Sequence, residues 1–105
     1  WIATERLFEM RDYEIEIVDI SYGEDLIGAT YIPAYTEYEG LFKDGAFRII
    51  HSDDTNTESG SGLVSQAPAY GESDFYALKN AQIDIIADPV TLSGRFDNTF
   101  KELYG

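Results

Sequence analysis

Residues 41–50, LFKDGAFRII, carry the local pattern that most restricts how this chain can fold. Asp44-Gly45 lies between two apolar runs, and such a dipeptide is typical of a two-residue turn between antiparallel strands. A hairpin centred on that turn pairs Phe42 with Phe47. Because side chains alternate between the two faces of a strand, Phe42, Phe47 and Ile49 are then predicted to mark the core face.

Three further segments alternate apolar and polar residues as half-buried strands do. They are YEIEIVDI at 13–20, NAQIDIIA at 80–87 and VTLSGRFDNTF at 90–100. Residues 1–12 fit either a short amphipathic helix or a strand, and the helix is favoured. We therefore predict a mainly β fold, a single-domain antiparallel sandwich or open barrel with one short N-terminal helix.

The length of 105 residues suits one domain with one continuous core. Residues 51–73 lack periodicity and are rich in Ser, Thr, Gly and Asp, which predicts a long polar loop inside that domain. The chain begins with Trp1 rather than Met, so we expect residues 1–105 to be excised or processed from a longer precursor.

The charge balance argues against several partners. Asp and Glu total 20 against 7 Lys and Arg, a net charge of -13, and such a surface repels phosphate backbones and anionic lipid. We therefore expect no direct nucleic-acid binding. No apolar run approaches the roughly 20 residues of a membrane helix, so no membrane insertion is expected. Mimicry of DNA by a carboxylate array, as in an acidic inhibitor of a basic protein, stays an alternative.

Catalytic signatures are weak. The single histidine, His51, lies beside Asp53 and Asp54, but the sequence has no G-x-S-x-G, H-E-x-x-H or glycine-rich phosphate motif. The absence of cysteine excludes disulfides and thiolate zinc sites. A non-enzymatic protein without a cofactor is favoured, and a small α+β enzyme that uses His51 stays an alternative.

One loop has the spacing of an oxygen-ligand metal site. Asp54, Asn56 and Glu58 place oxygen donors at alternate positions, which is the arrangement that Ca²⁺ requires. An EF-hand is rejected, because the glycine is one position late and Ser65 occupies the closing position. An irregular Ca²⁺ loop and a solvated loop without metal both stay open.

The segment YIPAYTEYEG, residues 31–40, is rich in tyrosine and glutamate. The predicted hairpin register puts four of its residues on the face opposite the phenylalanines, where they form a candidate binding surface: Tyr31, Pro33, Tyr35 and Glu37. Such a surface is typical of protein contacts, although packing within the chain and sugar stacking also fit it. We predict a binding or assembly module that self-associates or binds a protein partner in an extracellular, surface or virion-like setting. A carbohydrate-binding module is the alternative.

Overall fold

The computed structural model describes residues 1–104 and contains four helices joined by irregular segments. Three are 3₁₀ helices, at Thr4–Met10, Gly23–Leu26 and Thr36–Asp44, and the fourth is an α helix, α1, at Glu72–Asn80. The prediction of a mainly β sandwich or open barrel is wrong, because pairing within residues 1–104 is confined to isolated bridges and no sheet forms. None of the helices in this range has the length and apolar character needed to cross a membrane.

Asp44-Gly45 ends the third 3₁₀ helix instead of turning a hairpin. Gly45 has a φ of 101°, and its N–H donates to the carbonyl of Phe42 at 3.1 Å. A glycine in this left-handed conformation is the commonest residue just past a helix end. The predicted Phe42–Phe47 strand pair is therefore wrong, although the two rings do contact each other, with centroids 4.9 Å apart.

One of the isolated bridges, Thr30 with Arg48, belongs to a short antiparallel pairing of residues 28–31 with residues 47–49. The Gly28 N–H donates to the carbonyl of Ile49 at 2.8 Å, and the Ile49 N–H donates to the carbonyl of Ala29 at 2.8 Å. The Tyr31 N–H donates to the carbonyl of Phe47 at 2.9 Å, which is the third hydrogen bond of this short ladder. The third 3₁₀ helix thus lies inside the loop that connects the two paired segments.

The other predicted strands are not strands of a sheet. Residues 13–22 run without helix or bridge, and among residues 1–104 no backbone N–H of 14–19 donates to another residue. Residues 90–100 fold back on themselves, since the Thr91 N–H donates to the carbonyl of Arg95 at 2.8 Å. In 80–87, the Ile83 N–H donates to the carbonyl of Leu78 at 2.9 Å, so this segment begins as the end of α1.

The described chain buries little of its own apolar surface. Ala77 and Phe100 are its buried core residues, with Pro33 the other buried position in residues 1–104. Large side chains such as Val18 and Ile32 are 88% and 89% exposed. The Cα radius of gyration is 16.2 Å, whereas a compact domain of this length has roughly 13 Å. The segment is therefore open, with apolar surface of the kind that soluble proteins usually cover.

Candidate functional site

A groove of about 830 Å³ lies between the short ladder and the segments before and after α1. Aliphatic and aromatic side chains form most of its wall, and a few polar side chains lie among them. The residues that line it include Ile27, Phe47, Leu63, Gln66, Ile83 and Ala87. An apolar pocket of this size with few polar groups is the usual form of a small-molecule site.

One side of the groove is built by the ladder and its aromatic residues. The pairing of 28–31 with 47–49 fixes Phe47 beside Tyr31, whose ring meets it edge to face at a centroid distance of 5.9 Å. Phe47 has a φ of 58°, a left-handed conformation that few side chains adopt, and residues in such conformations cluster at functional sites. The ladder thus holds an aromatic wall in a fixed position.

The opposite side depends on the loop that leads into α1. The Ala67 N–H donates to the Oδ2 atom of Asp74 at 2.9 Å, while the N–H groups of Tyr70 and Gly71 donate to the carbonyl of Ala67 at 2.9 and 3.1 Å. A Cβ at Gly71 would lie 2.7 Å from Asp74 Oδ2, so a larger residue there would displace the Asp74 carboxylate. These contacts fix the backbone next to Gln66, a groove residue.

Two tyrosines connect the groove region to the C-terminal segment. The Tyr70 hydroxyl donates to Asp88 Oδ1 at 2.7 Å, and this hydrogen bond is the main cause of the raised pKa of Tyr70. Burial raises the pKa of Tyr38, with further contributions from the carboxylates of Asp97 and Asp88. Both phenols therefore stay neutral near pH 7, and Tyr70 acts as a hydrogen-bond donor.

The predicted tyrosine surface does not lie on one strand. Tyr31 is 54% exposed and contacts Phe47, whereas the ring of Tyr35 meets that of Phe100 edge to face at 5.5 Å. Pro33 is buried, and Glu37 is exposed in the first turn of the third 3₁₀ helix. Their common role as a binding surface stays a prediction.

The predicted metal ligands lie on an exposed loop. Asp54, Asn56 and Glu58 are all exposed, and the Asn56 Oδ1 atom accepts a hydrogen bond from the Glu58 N–H at 2.9 Å. Within residues 1–104 no group of three or more His, Asp or Glu side chains is arranged to hold a metal. A Ca²⁺ site that includes Asn56 stays a prediction.

His51 lies at the edge of the groove. Its Nε2 atom is 2.7 Å from Asp53 Oδ1, and the two side chains are 71% and 89% exposed. Sequence reasoning missed Gln66 and Asp74. The available signal was Gly71-Glu72-Ser73-Asp74, because acidic residues just after a glycine are typical of a helix start.

No family model matches this sequence. The chain is 42% identical over 90 residues to the isoleucine–tRNA ligase of Bdellovibrio bacteriovorus, which is 86% of this chain and 8% of that protein. It is 40% identical over 106 residues to the isoleucine–tRNA ligase of Protochlamydia amoebophila, at 99% and 10% coverage. The cytoplasmic isoleucine–tRNA ligase of Saccharomyces cerevisiae is 33% identical over 99 residues, at 90% and 9% coverage.

These similarities correct the functional predictions. A non-enzymatic structural or assembly module is contradicted, because the relatives are ligases. The exclusion of nucleic acid is contradicted as well, since tRNA is part of the reaction that the relatives are named for. The extracellular or virion setting is wrong too, and the yeast relative is named as cytoplasmic. The chain spans about a tenth of the length of the curated relatives it matches, so over most of its length it is similar to one short segment of isoleucine–tRNA ligases.

Proposed function

We propose that this chain is a segment of an isoleucine–tRNA ligase, the enzyme that joins isoleucine to its tRNA. The observation that carries the proposal is the 40% identity to the Protochlamydia ligase over 99% of the chain. The exposed apolar side chains support it, because the rest of a large enzyme would cover surface that this segment leaves open.

Within that enzyme, the groove suits the aminoacyl end of the tRNA better than it suits ATP. Its wall is mostly apolar, which fits the aliphatic side chain of an amino acid. The chain has a net charge of -13 and no glycine-rich phosphate motif, so it is poorly suited to hold the phosphates of ATP. The same charge limits broad contact between this segment and the tRNA backbone.

A groove for the aminoacyl end would serve proofreading. Isoleucine–tRNA ligases are a known example of limited selectivity, since binding alone distinguishes isoleucine from valine only roughly 150-fold. Enzymes in this position use a second site that hydrolyses the smaller, wrong product. We propose that the groove between the ladder and α1 is such a site and accepts the valyl group of misacylated tRNA.

The reaction needs only water as co-reactant. The water oxygen adds to the ester carbonyl carbon, the bond between that carbon and the ribose oxygen breaks, and the ribose oxygen takes a proton. Free valine and intact tRNA result. Ile27, Leu63 and Ile83 line the groove and would contact the aliphatic side chain, while the ladder and the loop before α1 keep the opening fixed.

The test is a chimeric enzyme in which this chain replaces the matching segment of the Protochlamydia ligase. The control replaces the same segment with a Gly/Ser linker that spans the same gap. Formation of isoleucyl-tRNA and hydrolysis of valyl-tRNA are measured for both proteins. We expect the chimera to form isoleucyl-tRNA and to hydrolyse valyl-tRNA at least about 100-fold faster than the linker protein. Equal hydrolysis by the two proteins would contradict the proofreading role, and a chimera that forms no isoleucyl-tRNA would contradict the assignment to the ligase.

A further inference from the structure

Arg6 joins the first 3₁₀ helix to residues 52 and 54 positions later in the chain. Its Nε atom donates to the carbonyl of Gly60 at 3.0 Å, and its Nη1 atom donates to the carbonyl of Glu58 at 3.2 Å. Its Nη2 atom lies 2.7 Å from Glu9 Oε1, and its guanidinium carbon lies 5.0 Å from the centroid of the Phe8 ring. The Arg6 side chain is only 14% exposed. Because the planar guanidinium holds its donors in a rigid fork, these contacts form a fixed connection.

A second contact between the same two segments lies next to this one. The Ala3 N–H donates to the carbonyl of Ser61 at 2.7 Å. A Cβ at Gly62 would lie 2.8 Å from Ala3 Cβ, so the backbone of the loop runs directly against Ala3. Residues 58–62 are therefore held against the N-terminal segment along their whole length.

Ser61 carries this constraint into the groove. Its Oγ atom accepts from the Leu63 N–H and donates to the Leu63 carbonyl, in each case at 3.3 Å. Leu63 lines the groove and is 42% exposed, so its side chain is open to a ligand. Arg6 lies outside the groove lining, and its contacts act on the groove through the loop.

We infer that Arg6 is a positioning residue that sets the size selectivity of the groove by fixing Leu63 in its wall. This inference rests on the proposed proofreading function. A site that hydrolyses the smaller product must exclude the isoleucyl group, which is larger than valyl by one methylene group. One methylene group changes discrimination by an apolar pocket roughly 10- to 200-fold. Steric exclusion of so small a group requires a wall that does not yield, and packed, hydrogen-bonded backbone provides one.

The experiment measures first-order hydrolysis of valyl-tRNA and of isoleucyl-tRNA by the chimeric ligase and compares the ratio of the two rates. Arg6→Met removes the hydrogen bonds to the loop and keeps much of the length of the side chain. Arg6→Lys keeps the charge but cannot reproduce the fork. The control is Arg11→Met, the same change of charge at an exposed arginine whose Nη1 atom donates to the Phe8 carbonyl at 3.4 Å. Because both rates come from one sample, their ratio does not depend on the fraction of protein that is folded.

We expect Arg6→Met to lower the ratio of valyl-tRNA to isoleucyl-tRNA hydrolysis about 10-fold and Arg6→Lys to lower it about 3-fold. Arg11→Met should keep the parent ratio. An unchanged ratio for Arg6→Met, or an equal change for Arg11→Met, would overturn the inference. If Arg6→Met does not fold, Arg6→Lys decides in its place, and a parent ratio for that variant overturns the inference.

The route through Leu63 is tested by a double-mutant cycle. Leu63→Ala should itself lower the ratio about 10-fold, and Arg6→Met added to it should lower the ratio by less than about 2-fold more. Effects that simply multiply would show that Arg6 does not act through Leu63. If the parent chimera hydrolyses valyl-tRNA no faster than the linker protein, the proofreading function itself is wrong. An active chimera whose ratio is insensitive to Arg6 overturns only the positioning role.

Discussion

Asp74 accepts a hydrogen bond from the Ala67 N–H at 2.9 Å, and this contact joins the first turn of α1 to the loop that lines the groove. The two residues are the ends of the stretch APAYGESD, residues 67–74. The Asp74 side chain therefore binds the backbone seven residues before it. The contact is charge-assisted and lies where the partial positive charge of the helix start also favours a carboxylate.

Asp74→Ala should therefore loosen the loop before α1. We expect a loss of about 1 to 2 kcal/mol in the free energy of unfolding, measured by urea denaturation. Asp74→Asn is the matched control, because its side-chain oxygen can still accept from Ala67, and it should lose less than half as much. If both variants unfold like the parent, the loop is not held by this contact.

Two glycines of the third 3₁₀ helix allow a matched comparison of substitutions: Gly40 lies inside the helix and Gly45 directly follows it. Gly45→Ala should cost about 1 to 2 kcal/mol, because φ is 101° and the new Cβ would lie 3.3 Å from Ile83 Cγ1. At Gly40 a Cβ meets nothing within 4 Å, so Gly40→Ala should be neutral or stabilising by up to about 1 kcal/mol. Thermal melts of both variants give the comparison, and equal effects at the two sites would be inconsistent with the described helix end.

Phe100 holds the aromatic cluster near the C-terminus. Its ring meets those of Tyr35, Tyr38 and Phe96 at centroid distances of 5.5, 5.3 and 6.2 Å, and it is 8% exposed. Phe100→Ala should cost about 3 kcal/mol in urea unfolding. The control is Leu92→Ala, at a fully exposed leucine, which should change stability by less than about 0.5 kcal/mol. A similar loss at both positions would show that Phe100 is not part of a core.

The hydrogen bond from Tyr70 to Asp88 predicts a dependence on alkaline pH. Because this contact raises the pKa of Tyr70 above its ordinary value of 10.0, its stabilisation is present below that value and is lost as pH rises through the raised pKa. Tyr70→Phe should therefore lose less stability than the parent between about pH 8 and about pH 11. Tyr13→Phe is the control, since the Tyr13 side chain is 68% exposed, and it should behave like the parent. If Tyr70→Phe loses more stability than Tyr13→Phe over this pH range, the contact does not have this role.

The sequence predicts where regular structure ends better than it predicts which segments pair as strands. Asp44-Gly45 does mark a break in the chain, and Gly45 has a φ of 101°. A positive φ serves a helix end as well as the predicted hairpin turn, and the residues before it decide between the two. The acidic start of Thr36–Asp44 was the available signal for a helix. Alternation in 13–20 predicted a strand, yet a strand also needs a partner, which local periodicity cannot supply.

The candidate site was harder to predict for a related reason. The groove is formed by residues far apart in the sequence, such as Ile27, Phe47 and Ala87, and no local pattern shows that they meet. The high negative charge of the chain weakens long-range attraction to phosphates, but it does not exclude the proposed binding of the aminoacyl end of a tRNA in the groove.

The most direct test of the proofreading groove is to fill it. Ala87 lines the groove, so Ala87→Phe should occupy the space proposed for the valyl side chain, whereas Ala81→Phe adds the same ring at an exposed position outside it. The measurement is the first-order rate of valyl-tRNA hydrolysis by the chimeric ligase carrying each substitution. We predict that Ala87→Phe lowers this rate at least about 10-fold while isoleucyl-tRNA formation and the Ala81→Phe control stay at the parent level. Hydrolysis by Ala87→Phe at the parent rate would contradict the assignment of the groove to the aminoacyl end.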